Sequence, residues 1–125
     1  MDTLPCWQPV LTSNRSCPSP RWGHQLLPID NKQLILFGGF GGDSSQSTYL
    51  DDLWIYNTEL LKWRKVQPIG QIPSKRSNCT LHYCREKKEV LMFGGGAASK
   101  QRFNCLYALS LRGKAWRKIE YDQTQ

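Results

Sequence analysis

Cys79, His82 and Cys84 place two thiols and an imidazole close together, the residue types of a zinc site. On an extended strand alternate side chains point to opposite faces, so His82 and Cys84 share one face while Cys79 turns away with Leu81 and Tyr83. Tetrahedral zinc wants a second such pair, and none stands in register, so no metal and no other cofactor is expected. The diglycines Gly38-Gly39 and Gly94-Gly95 offer backbone amides to an anion, yet neither is followed by the lysine of a phosphate loop. Close approach of strands is the stronger reading of both. Trp22, Trp54, Trp63, Trp116 and Tyr107 are the ring types that stack on nucleic acid bases. Three of the tryptophans recur at fixed spacings, which favours packing between elements instead and leaves only Trp22 free for another use. His24 reads as a structural histidine, and Asp51 and Asp52 as the close of a loop. No serine–histidine–aspartate arrangement, carboxylate pair or nucleophile elbow can be assembled. No catalytic residue is assigned, and the chain is not read as an enzyme.

The remaining chemistry is charge. The chain carries 17 Lys and Arg against 10 Asp and Glu, a net charge of +7. The excess is uneven: residues 1–62 sum to −2 and residues 63–125 to +9. A basic half suits a partner of opposite sign, although a solvated basic face gives the same count. Hydrophobic content of 39% in 125 residues allows one folded domain. No apolar run reaches the roughly 18 residues of a membrane span, and Met1 to Val10 lacks the pattern of a signal peptide. Cytoplasmic residence is expected, with the nucleus as the alternative, and the five cysteines are expected to stay reduced there.

The elements that must position these groups are given by a repeat. Leu34-Ile35-Leu36-Phe37-Gly38-Gly39 returns as Val90-Leu91-Met92-Phe93-Gly94-Gly95, 56 positions later. Trp54 and Tyr107 are 53 apart, as are Trp63 and Trp116, and Pro18-Ser19-Pro20-Arg21 aligns with Pro73-Ser74-Lys75-Arg76 at an offset of 55. Each copy reads as four short strands: Gly23–Pro28, Gln33–Phe37, Leu53–Asn57 and Trp63–Gln67 in the first, Cys79–Cys84, Val90–Phe93, Leu106–Ser110 and Trp116–Tyr121 in the second. Between the second and third strands lie the long polar loop from Gly38 to Asp52 and the shorter one from Gly94 to Cys105. Antiparallel strands alternate direction. Arg85, Lys87, Lys88, Arg112 and Lys114 therefore gather at one end of the sheets, and Arg21, Tyr49, Lys75, Arg76, Lys100 and Arg102 at the other.

An apolar strand, a diglycine, an aromatic and a tryptophan repeated at roughly 50 residues resemble the kelch repeat. The likeness runs from Pro18 to about Ile119. Arg21-Trp22-Gly23-His24 fits the family's first strand, while the second copy reads Arg76-Ser77-Asn78-Cys79. The resemblance implies an all-β fold of two four-stranded antiparallel kelch blades, a partial β-propeller. Its expected divisions are an N-terminal segment at 1–17, repeats at 18–69 and 70–121, and a tail at 122–125. Trp7 resembles the outer-strand tryptophan of a blade that precedes the first, and uncovered sheet faces imply further blades or self-association.

The same resemblance makes the end with the long loops the binding face. It implies a non-enzymatic protein-interaction module, a substrate receptor of a ubiquitin ligase or a scaffold, with Arg21, Tyr49, Lys75, Arg76, Lys100 and Arg102 gripping an acidic segment of a protein partner. Two other readings stay open. A kelch-like enzyme with a metal or small-sugar site needs a closed ring, and a nucleic-acid surface on the basic half predicts steep salt dependence.

Overall fold

The structure is a computed structural model that describes residues 6–12, 16–42 and 46–121. All regular structure among them is β. In chain order the strands are β1 (Arg21–Trp22), β2 (Gln25–Pro28), β3 (Gln33–Gly41), β4 (Thr48–Asn57), β5 (Lys62–Val66), β6 (Ile69–Gly70), β7 (Thr80–Cys84), β8 (Glu89–Phe93), β9 (Gly96–Ala97), β10 (Gln101–Arg102), β11 (Leu106–Ser110) and β12 (Ala115–Ile119). The first sheet runs from β3 through β4 to β5, with β1 and β2 both antiparallel to β3 as two segments of one inner strand. The second runs β7-β8-β11-β12 in antiparallel order, and β9 pairs with β10 in a small separate hairpin. Two similar four-stranded fans result, as the repeat requires.

Alternation along each strand decides what the sheets bury. Ile35, Phe37, Leu53, Ile55 and Val66 of the first sheet face Cys79, Val90, Met92, Leu109 and Trp116 of the second, and this is the core. Leu36, Trp54 and Tyr56 occupy the far face of the first sheet with Trp63. The duplication extends to ring geometry. Trp54 meets Trp63 edge-on at 6.4 Å and 88°, and Tyr107 meets Trp116 at 6.3 Å and 89°. Only Trp116 of the repeated tryptophans packs between the two sheets; Trp54 and Trp63 lie on the equivalent face of the first sheet, which the second does not reach.

Two expectations need correction. The segment Gly38 to Asp52 is not a loop at its ends, because β3 continues to Gly41 and β4 begins at Thr48, with Phe40 paired to Tyr49 and Gly41 to Thr48. Phe40, Thr48 and Tyr49 favour a pleated surface. The glycines mark an irregular register between Phe37 and Gly39 instead of a stop. Secondly, Ile69 and Gly70, beyond the expected fourth strand Trp63–Gln67, form β6 and add a parallel edge beside Ala115 and Trp116 of β12. Trp7 itself is 102% exposed, and residues 6–12 form no strand. The expected tail at 122–125 falls outside the described residues, as do residues 1–5 of the N-terminal segment.

Candidate functional site at the loop end of the sheets

The end that holds the predicted site is laced together by backbone bonds. The Arg76 amide donates to Leu50 O at 3.1 Å, the Gly39 amide to Arg76 O at 2.9 Å, and the Asn78 amide to Gly23 O at 2.7 Å. Ser77 and Gly96 exchange two bonds of 2.9 Å. The β3–β4 hairpin, the linker through Arg76 and the β9–β10 hairpin thus lie side by side. Gly38 has φ +69°, and a Cβ there would stand 2.9 Å from Arg76 O, so both the backbone conformation and the close approach require glycine. The Gly39 amide is occupied by Arg76 O, which leaves the first diglycine no role as an anion cradle.

Two arginines expected at a partner surface turn inward instead. Arg21 donates from Nε to Ser19 O at 3.1 Å, from Nη2 to Ser19 Oγ at 3.2 Å and from Nη1 to Gly38 O at 3.1 Å. It also grips Asp52 with two bonds of 2.6 and 2.9 Å, and its side chain is 4% exposed. Arg76 is 1% exposed and repeats the first three bonds, to Ser74 O, Ser74 Oγ and Gly94 O. Both guanidinium groups fasten the linker to the start of the following hairpin and are lost to a partner. Asp52, expected merely to close a loop, also accepts from Trp54 Nε1 at 2.8 Å. Burial alone would raise its carboxyl, but the hydrogen bonds from Arg21 and Trp54 and the Arg21 charge hold it below the ordinary carboxylate range.

The other candidates stay at the surface. Lys75, Lys100 and Arg102 are exposed, and none forms an ion pair among the described residues. Lys100 stands at the tip of the β9–β10 hairpin. Ser99 and Lys100 both have φ +61°, and the Gln101 amide donates to Ala98 O at 3.2 Å. Two positive φ values are the mark of a type I′ turn, which normally uses Asn or Gly. Tyr49 is half-buried against Phe40 at 4.9 Å, and Phe40 meets Trp22 at a tilt of 46° and 5.3 Å. Trp22, Phe40 and Tyr49 are cross-strand neighbours on β1, β3 and β4, a row of rings whose outer member Trp22 is 59% exposed. Spacing alone did not reveal this row, because pairing Phe40 with Tyr49 depends on the hairpin register.

The remaining chemistry stays apart. Cys79 lies in the core, where burial pushes its thiol up to about 11 against the pull of Arg76, while His82 is exposed on the opposite face of β7. Among the described residues no three His, Cys, Asp or Glu side chains are grouped to hold a metal.

Comparison with known proteins agrees with this geometry. Residues 2–125 match the family model of the KLHDC2/KLHL20/DRC7 Kelch-repeats domain. Kelch domain-containing protein 2 of Mus musculus is 30% identical over 115 residues, covering 84% of this chain and 27% of that protein. Dynein regulatory complex subunit 7 of Chlamydomonas reinhardtii is 30% identical over 104 residues, covering 83% of this chain and 9% of that protein. The chain therefore spans about a quarter or less of these curated relatives. Among solved structures, that of YjhT superimposes with a TM-score of 0.67 at 16% identity, over 84% of this chain and 39% of that one, a likeness of fold. With two fans of matching strand order, matching ring pairs and matching arginine latches, the chain belongs to the kelch-repeat family and forms two blades of a partial β-propeller.

Proposed function

We propose that this chain is a non-enzymatic protein-interaction module that takes an acidic segment of a partner across the loop end of its blades. The observation that carries the reading is the presence at that end of exposed cations, none in an ion pair among the described residues, beside a row of rings whose outer member Trp22 is exposed. Lys75, Lys100 and Arg102 supply charge-assisted hydrogen bonds, and Trp22, Phe40 and Tyr49 supply area that a flexible acidic peptide can cover. Backbone bonds fix the hairpins that carry them, so little ordering is required on binding. The strained turn at Ser99 and Lys100 fits a position kept for its side chain. The kelch relatives are consistent with such a module. A role as a ubiquitin-ligase receptor or scaffold and a cytoplasmic setting belong to this proposal.

The test is fluorescence anisotropy with a labelled glutamate-rich peptide containing one aromatic, beside a lysine-rich peptide and a single-stranded RNA of equal length. The acidic peptide should bind best, and combined Lys75→Glu, Lys100→Glu and Arg102→Glu should weaken it at least tenfold with thermal stability unchanged. Equal binding by the triple variant removes the assignment. Tighter binding of RNA, with affinity falling steeply in salt, would replace it with a nucleic-acid surface.

A further inference from the structure

The two blades build the same pair of turns and charge them differently. In the first, the Thr58 amide donates to Lys32 O at 2.8 Å; in the second, the Leu111 amide donates to Lys88 O at 3.1 Å. The strand pairings that lead into these turns, Gln33 with Asn57 and Glu89 with Ser110, are likewise equivalent. Leu61 and Lys114 share a left-handed backbone, with φ +56° and +51°. Lys32 therefore corresponds to Lys88, and Glu59 to Arg112. Lys32 and Glu59 form an ion pair of 3.6 Å across their turns. Lys88 and Arg112 put two cations in the same places, and neither forms an ion pair among the described residues. An arrangement that neutralises itself in the first blade is left with surplus charge in the second.

That surplus lines a hollow. Lys88, Arg112 and Lys114 border, with buried Ile29 and half-buried Leu111, a crevice of about 300 Å³ between the two blades. Lys114 donates from Nζ to Leu111 O, and burial, followed by the charge of Arg64, holds its ammonium below the ordinary value. Asp30, the carboxylate among the lining residues, accepts the Lys32 amide at 2.7 Å and forms no ion pair with the three cations. Three cations and one carboxylate leave the crevice at +2. We propose that this crevice binds a phosphate monoester, with Lys88, Arg112 and Lys114 as its ligands. A monoester carries close to two negative charges at neutral pH and three acceptor oxygens, which matches both the net charge and the number of cations. The Arg112 fork suits two of those oxygens, and the lysines act as point charges. A hollow of this size has room for about ten waters, so the phosphate enters together with the carbon that bears it, and Ile29 and Leu111 give that carbon an apolar wall. A phosphodiester strand, with one charge per phosphate spread along its length, fits a single crevice less well. The site lies at the opposite end of the sheets from Lys75, Lys100 and Arg102 and does not depend on the acidic-peptide reading.

Isothermal titration calorimetry tests this with glycerol 2-phosphate, a phosphoserine tripeptide, the same tripeptide unphosphorylated, and an RNA oligonucleotide without a terminal phosphate. At least one monoester should bind, and the tighter of the two tells whether the phosphate arrives on a small molecule or on a protein. The unphosphorylated peptide should not bind. Arg112→Glu, which restores the opposite charges of the first blade, should weaken monoester binding at least about tenfold, and Lys88→Gln should weaken it about threefold, so that the assignment does not hang on the folding of one variant. Lys118→Glu, an equal charge change on exposed β12 away from the crevice, should leave binding within about twofold. The proposal is overturned if neither monoester binds or if the two crevice variants bind as well as wild type. It is equally overturned if Lys118→Glu weakens binding as much as Arg112→Glu, which would mean attraction to net charge alone, or if the RNA binds more tightly than both monoesters.

Discussion

Phe37 of the first blade and Trp116 of the second meet edge-on with ring centres 5.6 Å apart, and neither is more than 2% exposed. Phe37 closes the first apolar strand, Trp116 belongs to the outer strand of the second repeat, and their contact joins the two halves of the core. Phe37→Ala should destabilise the chain by about 3–5 kcal/mol in urea unfolding. Trp116→Phe should be milder than Trp116→Ala, because Trp116 Nε1 has no hydrogen-bond partner among the described residues for phenylalanine to forfeit. Equal losses for the two Trp116 variants would contradict this packing.

The Arg21–Asp52 latch gives a signed pH dependence. The folded-state pKa of Asp52 lies below its ordinary value of 3.8. The stabilisation is therefore complete above that value and is lost as pH falls through the lower, folded-state one. Asp52→Asn should lower stability at neutral pH by about 3 kcal/mol, since it strands a buried guanidinium. The loss relative to wild type should shrink between about pH 4 and pH 2. A difference independent of pH would show that the ion pair is not what Asp52 contributes.

Thiol reactivity should separate the cysteines by place. Cys6 and Cys17 are exposed and should label at once with a maleimide at neutral pH, whereas Cys79, buried and with its thiol raised to about 11, should label only after unfolding. Prompt labelling of Cys79 in the folded chain would mean that the two blades part readily.

Each blade turns one face to the other and one face away from it. Phe93, on the open face of the second blade, is 48% exposed, and it is the repeat equivalent of Phe37, which packs on Trp116. The Trp54 and Trp63 face of the first blade is equivalent to the face on which Phe37 rests. Copies of this chain should therefore associate head to tail, Phe93 of one against Trp63 of the next. Sedimentation velocity should show mass rising with concentration, and Phe93→Lys should return the protein to a monomer without a change in melting point. A concentration-independent monomer for wild type would refute this.

The fold was largely legible in the residues. Trp63 and Trp116 at a fixed offset, with the diglycines at Gly38 and Gly94, gave the two fans and their antiparallel order, because strand periodicity and glycine geometry are local properties. The extensions of β3 to Gly41 and β4 from Thr48 were hidden, since glycine marks both a stop and a bulge, and only cross-strand pairing distinguishes them. At the site, parity placed Arg21 and Arg76 at the correct end of the sheets but left open which way they point. Sequence determined that cations and glycines would gather there. The tertiary structure decided that Arg21 and Arg76 are internal latches while Lys75, Lys100 and Arg102 face solvent, because a guanidinium turns inward only where packing assembles acceptors such as Ser19, Gly38 and Asp52 around it.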